Sequence, residues 1–187
     1  MLSKLAQRID AAATWRRMGA LLIAYVALVS ALTFAEGRIK ERSGGLGVPD
    51  LMQGFTAAEL YARLEAFGPE GRRIYVLAEL VDLVYPLVYA TFFAFLLALG
   101  ARAMLGARRP ALLCLLPCAA MLCDYLENAT FFVVLFAWPA RLEPVAAMGG
   151  IFNTLKWLLF APTLALSVLC LVGAWIQALR RWTSRPA

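Results

Sequence analysis

Five ionisable side chains sit inside stretches that are otherwise apolar: Glu79, Asp82, Asp124, Glu127 and Lys156. A charged group at membrane depth costs about 2.5–3.5 kcal/mol on insertion scales and is normally turned toward a bundle interior or a water-filled cavity. Four carboxyls against one ammonium cannot neutralise one another. The surplus must be protonated, hydrated, or balanced by a bound cation or a cationic ligand. Carboxyls held in unlike surroundings can also divide the roles of general acid and general base, and their oxygens are natural ligands for Mg²⁺ or Ca²⁺. Histidine is absent, which removes the usual general base and the commonest metal ligand. The cysteines are Cys114, Cys118, Cys123 and Cys170. An i,i+4 pair with no histidine and no second thiol pair is not a zinc pattern, so they read as small buried hydrophobes.

Helical periodicity gathers these groups into stripes. At 100° per residue, Tyr75, Glu79, Asp82, Pro86 and Tyr89 share a sector of roughly 80°, with Tyr85 beside it. Asp124, Glu127, Asn128 and Phe131 share a second sector, and Asn153, Lys156, Phe160, Thr163 and Ser167 a third. Proline lacks an N–H, so Pro86 leaves the Asp82 carbonyl without its helical partner, and Pro162 does the same to Leu158. The candidate ligand-binding set is Glu79, Asp82, Tyr85, Tyr89, Asp124, Glu127, Asn128, Asn153 and Lys156. Phe131 and Phe160 serve as further aromatic wall, and no catalytic residue is assigned.

The elements that must position this set follow from composition. The chain has 187 residues, of which 63% are hydrophobic and 16% charged, against about a quarter charged in a soluble domain. Apolar runs at about 18–35, 74–100, 111–138 and 151–179 reach or approach the ~20 residues a helix needs to cross a bilayer. They are too uniformly apolar for barrel strands. The expectation is an all-α polytopic membrane four-helix bundle forming a single domain over 1–187. The first run, longer than a signal core, reads as a retained span. Residues 1–17 read as a cytoplasmic lead-in with an amphipathic surface helix. In the outer loop, 36–73, Ser43 to Pro49 reads as flexible. Thr56-Ala57-Ala58-Glu59 then fits a capping box, opening a short amphipathic helix at about 57–67 that ends at Gly68-Pro69. That helix either rests on lipid, the favoured reading, or covers the bundle mouth. Gly106 and Pro110 punctuate the inner loop. Pro139, Pro144 and the Gly149-Gly150 pair punctuate the last outer one.

Basic residues near span ends stay cytoplasmic. Lys4, Arg8, Arg16, Arg17, Arg102, Arg108, Arg109, Arg180, Arg181 and Arg185 outnumber the basic residues of the opposite segments, which also carry most of the acids. Both termini are therefore expected inside a cell membrane, with Trp15, Trp138, Trp175 and Trp182 near the interfaces. Counted from the outer ends at ~1.5 Å per residue, Glu79 and Lys156 lie near 8–9 Å, Asp82 near 12 Å, Glu127 near 16 Å and Asp124 near 21 Å. The stripes thus converge on an outward-facing site.

Gly71 to Tyr75, Asp82 to Pro86, Asp124-Tyr125-Leu126-Glu127-Asn128 and Lys156-Trp157 together resemble a group of small four-span bacterial membrane proteins of undefined function. The resemblance covers most of the chain from Thr56 onward. It implies that these residues belong together in a bacterial inner-membrane protein, and it implies no activity. In size and helix number the chain is also similar to the emopamil-binding-protein class, which holds lipophilic amines or sterols between helices, a similarity of fold alone. The leading expectation is a pocket that binds or moves a lipophilic polar-headed or cationic molecule or lipid. The alternatives are a carboxylate-based lipid hydrolase or transferase, and an assembly subunit whose polar stripes are helix glue. No cofactor is expected beyond a carboxylate-bound Mg²⁺ or Ca²⁺. Membrane lipids and a lipophilic ligand are the expected partners, self-association is open, and nucleic acid is excluded. The carboxyl surplus favours a hydrated cavity, in which Lys156→Met would leave the fold nearly as stable.

Overall fold

The computed structural model describes residues 2–105 and 111–183. The predicted inner-loop residues Gly106, Arg108, Arg109 and Pro110, the tail residue Arg185, and the side chains of Arg181 and Trp182 lie outside what is described. Among the described residues there is no strand. The helices are α1 (Leu2–Ala12), α2 (Trp15–Arg42), α3 (Ala57–Asp82), α4 (Tyr85–Leu105), α5 (Leu116–Ala137) and α6 (Glu143–Thr183). Four segments are long and apolar enough to cross a membrane: Trp15–Arg42, Tyr85–Leu105, Leu112–Ala137 and Glu143–Arg180.

The lead-in helix α1 docks on the bundle. Ala6 is buried against Ala94 and Cys114. Arg102 of α4 donates to the Asp10 carbonyl at 2.5 Å and to its carboxylate at 3.1 Å. Thr14 starts α2 by accepting from the Arg17 N–H at 3.3 Å. The helix outruns the predicted span, and its C-terminal end carries the pairs Lys40–Glu36 at 2.7 Å and Arg38–Glu41 at 3.2 Å. Such i,i+3 and i,i+4 pairs support helix in water. Leu22, Ile23, Val26 and Phe34 are exposed, as a lipid face requires. Tyr25 stacks on Tyr85 and Phe92, ring centroids 5.8 and 5.6 Å away.

The first half of α3 corrects the lipid-resting expectation. Thr56 and Glu59 form the predicted capping box. Leu60, Tyr61, Leu64 and Phe67 are then buried in one cluster with Tyr75, Phe131, Val134 and Ala146. Apolar spacing does not distinguish lipid from a protein lid as the surface covered, and here it is the bundle mouth. Gly68 has φ +62 and divides α3 into two limbs just before Pro69, at the predicted break. A second correction concerns the predicted span 74–100. Helix stops at Asp82 and restarts at Tyr85, because Pro86 cannot supply the next rung. The released carbonyls find side chains on α5: Asn128 donates to Asp82 O at 3.3 Å and the Tyr125 hydroxyl to Leu83 O at 3.0 Å.

A third correction is Gly149-Gly150. These residues lie inside the 41-residue α6, not in a loop. A Cβ on Gly150 would stand 1.9 Å from the Phe55 carbonyl oxygen, and one on Gly149 2.5 Å from Thr130 Oγ1. The pair permits close approach rather than a turn. At the other end of the same helix, a Cβ on Gly100 of α4 would stand 2.4 Å from Cys170 Cβ, so α4 and α6 cross tightly there. Between these ends Tyr89, Phe92, Phe93 and Leu96 form an apolar core with Phe160 against it.

Candidate functional site

The three stripes converge, and a fourth element, absent from the sequence-based set, joins them. On α5 and α6, Lys156 Nζ donates to Asp124 Oδ1 at 3.2 Å and is paired with Glu127. Glu127 Oε1 also accepts from Asn153 Nδ2 at 2.7 Å. All four side chains are buried, so one ammonium is committed to two carboxyls between α5 and α6. Asn128 donates to Asp82 Oδ2 at 2.5 Å, and the same amide serves the Asp82 carbonyl.

The fourth element is the segment between α2 and α3. Pro49–Leu51 forms a 3₁₀ turn that is pulled back into the bundle. Asn153 Nδ2 donates to Asp50 O at 3.1 Å, Asn153 Oδ1 accepts from Gly54 N at 2.7 Å, and Trp157 Nε1 donates to Asp50 O at 3.2 Å. Phe55 stacks on Phe131 at 5.6 Å. Gly54, at φ +115, lets the chain turn against Thr154. The end of the segment expected to be flexible is therefore anchored, and it carries Asp50 to the site. The Tyr75 hydroxyl donates to Asp50 Oδ2 at 2.9 Å. Burial raises the Asp50 carboxyl above its usual range, partly offset by the Lys156 charge and the Tyr75 hydrogen bond.

These side chains surround a cavity of ≈ 180 Å³. Val29, Leu32, Thr33 and Glu36 of α2 form one wall, and Lys156, Trp157 and Phe160 of α6 the opposite one. Tyr85 and Tyr89 close another side, and Glu36, Asp50, Glu79, Asp82 and Asp124 supply its acid. Six of the nine sequence-predicted residues line it: Glu79, Asp82, Tyr85, Tyr89, Asp124 and Lys156. Glu127, Asn128 and Asn153 stand behind them and hold Lys156, Asp82 and the Asp50 segment in place. Sequence reasoning missed Asp50 and Trp157. The available signal for Asp50 was that it is the sole ionisable residue from Ser43 to Thr56, next to a proline and among apolar neighbours.

Apart from Glu36, which pairs with Lys40, the acids fall into two groups. Asp124 and Glu127 share Lys156. Asp50, Glu79 and Asp82 bring one oxygen each to within 4.8 Å of one another, the one arrangement among the described residues that could hold a metal ion. Glu79 is 1% exposed, and its Oε2 has no hydrogen-bond partner. Comparison with protein-family profiles, curated proteins and solved structures yields no match. The site is read from its geometry. It defines an all-α bundle, compatible with a multi-pass membrane protein, with a plugged acidic cavity between its helices.

Proposed function

We propose that the chain binds, or passes along, a lipophilic molecule with a polar head, taken from the outer leaflet into the cavity between α2 and α6. The observation that carries this reading is a cavity whose apolar and aromatic walls end on carboxyls that Lys156 does not neutralise. Such sites, mostly apolar with a few convergent polar groups, are what small-molecule pockets look like. Lateral entry is supported by helix arrangement. α2 packs along α3 and α4, α6 packs along α5 and α4, and among the described residues no packed seam joins α2 to α6 across the cavity. Exposed apolar side chains on both helices, Val26 and Phe34 on one and Leu155 and Leu158 on the other, suit an opening bounded by lipid. The negative surplus selects a head that is cationic or that binds together with a cation.

The test is native mass spectrometry of the detergent-extracted protein, looking for retained lipophile. One bound species per chain is expected. It should be lost from Trp157→Ala and from a Thr33→Trp variant that fills the α2 wall. A wild-type protein that retains nothing beyond annular lipid, or a Thr33→Trp variant that retains as much as wild type, would sink the reading.

A further inference from the structure

Three observations meet at the outer end of the cavity. Asp50, Glu79 and Asp82 reach it from three positions, the 3₁₀ turn and two points one helical turn apart on α3, and place an oxygen each within 4.8 Å of the others. The nearest ammonium, Lys156, is already held between Asp124 and Glu127. Glu79 is buried, lines the cavity, and carries an oxygen with no donor. Folding tolerates a buried carboxyl oxygen with no donor only where something compensates it, and a cation shared with two neighbouring carboxylates does so.

We propose that Asp50, Glu79 and Asp82 hold one divalent cation of the hard, oxygen-seeking class, of the size of calcium. The neighbouring side chains fit that role. Tyr75 donates to one oxygen of Asp50 and Asn128 to one oxygen of Asp82, leaving each carboxylate a second oxygen for the ion and fixing its direction. Ligands oriented in this way by neutral donors are the normal second layer of a metal site. Geometry separates the candidates. Calcium accepts about six to eight oxygens in flexible arrangements, whereas magnesium demands a near-ideal octahedron and gives up water reluctantly. Three carboxylates already held in direction by their own partners suit the more adaptable ion. The remaining positions open onto the cavity and take water or the oxygens of a head group. The site needs no lipophile to form, so it stands apart from the pocket reading. Where both hold, the head that fits is oxygen-rich, not an amine.

The full-length protein in detergent, stripped of divalent ions, is titrated with Tb³⁺ while its tyrosine and tryptophan emission is excited. Tyr75 and Trp157 lie beside the site and act as donors. One saturable equivalent is expected, displaced by Ca²⁺ and at least tenfold less readily by Mg²⁺. Glu79→Gln should weaken Tb³⁺ and Ca²⁺ at least tenfold. Glu41→Gln, an exposed acid on α2, should bind like wild type. If Glu79→Gln does not fold, Asp50→Asn serves the same purpose. Absence of a saturable signal, or binding unchanged in both Glu79→Gln and Asp50→Asn, overturns the site. Lipophile retention is read in parallel on the same samples. Its loss with ion binding intact would sink the pocket alone, and the reverse would sink the ion site alone.

Discussion

The two acid groups of the cavity differ in one respect that organises the rest. Asp124 and Glu127 are held by an ammonium from the facing helix, in an interface where Glu127 has a side-chain exposure of 0% and Lys156 of 11%. Among the described residues, the hydrogen-bond donors to Asp50 and Asp82 are neutral, a phenol and an amide, and Glu79 Oε2 has none. The first group has the structure of helix glue. The second has no Lys or Arg paired with it among the described residues. The division runs between elements: α5 and α6 carry the acids paired to Lys156, and α3 with the 3₁₀ turn carries the others.

The largest test of that division is Lys156→Met. It strands two buried carboxyls, and breaking a buried pair typically costs about 3–5 kcal/mol. The tight pairing reverses the expectation, drawn from the carboxyl surplus, that the fold would absorb this change. Thermal unfolding in detergent should show the loss, and Lys156→Met with Glu127→Gln should recover part of it. A Tm equal to wild type in the single variant would merge the two groups into one hydrated cluster. Next is Asn153→Ala, which removes two hydrogen bonds that fasten the Asp50 segment and a third to Glu127. At ~0.5–1.5 kcal/mol each, a loss of about 2–3 kcal/mol is expected, and protease cleavage between Ser43 and Thr56 should accelerate. Equal cleavage would show that the segment is held by other contacts. Glu79→Gln should act in the opposite direction. Without divalent ions it should raise Tm by about 2–4 °C, the shift that ~1 kcal/mol produces in a chain of this size. A fall of that size would place Glu79 among the structural acids.

The smallest expected effect lies outside the cavity. Thr56→Ala removes an N-cap worth about 1 kcal/mol. The Thr56 N–H and hydroxyl also hold the Glu59 carboxyl below its usual range. A depressed carboxyl contributes stability that is full above its unfolded value and fades as pH falls through the folded one. Wild type should therefore lose this contribution on acidification, and Thr56→Ala should show a flatter acid limb in an unfolding–pH series. Parallel limbs would mean that the box adds nothing to the lid.

Much of the site was legible because helices repeat. Phase alone put Glu79 with Asp82, Asp124 with Glu127, and Lys156 with Asn153. The missing N–H of Pro86 pointed to an unpartnered Asp82 carbonyl. Depth was less legible. A straight-helix count separated Lys156 from Asp124 by about 12 Å, yet they are in contact at 3.2 Å, because helix tilt and a four-carbon stem do not enter such a count. Asp50 was hidden for a different reason. Its partners Asn153 and Trp157 are more than a hundred residues away, and no local pattern marks a loop that returns to a bundle. Gly149-Gly150 misled because a glycine pair signals a turn and a close contact equally well.

The tight crossing of Gly100 on Cys170 has a mechanical consequence. Lys156 and Trp157 lie about 20 Å along α6 from that crossing. Bare backbone there makes a fulcrum, and the cavity wall lies along the lever, between that point and the close contacts of Gly149 and Gly150. A rotation of α6 by only ~5° about this point would swing Trp157 by nearly 2 Å on the same rough helix length. The α4–α6 crossing would scarcely move. The aperture facing α2 would widen like the jaws of tweezers, and in the same stroke the grip of Asn153 and Trp157 on the Asp50 plug would loosen.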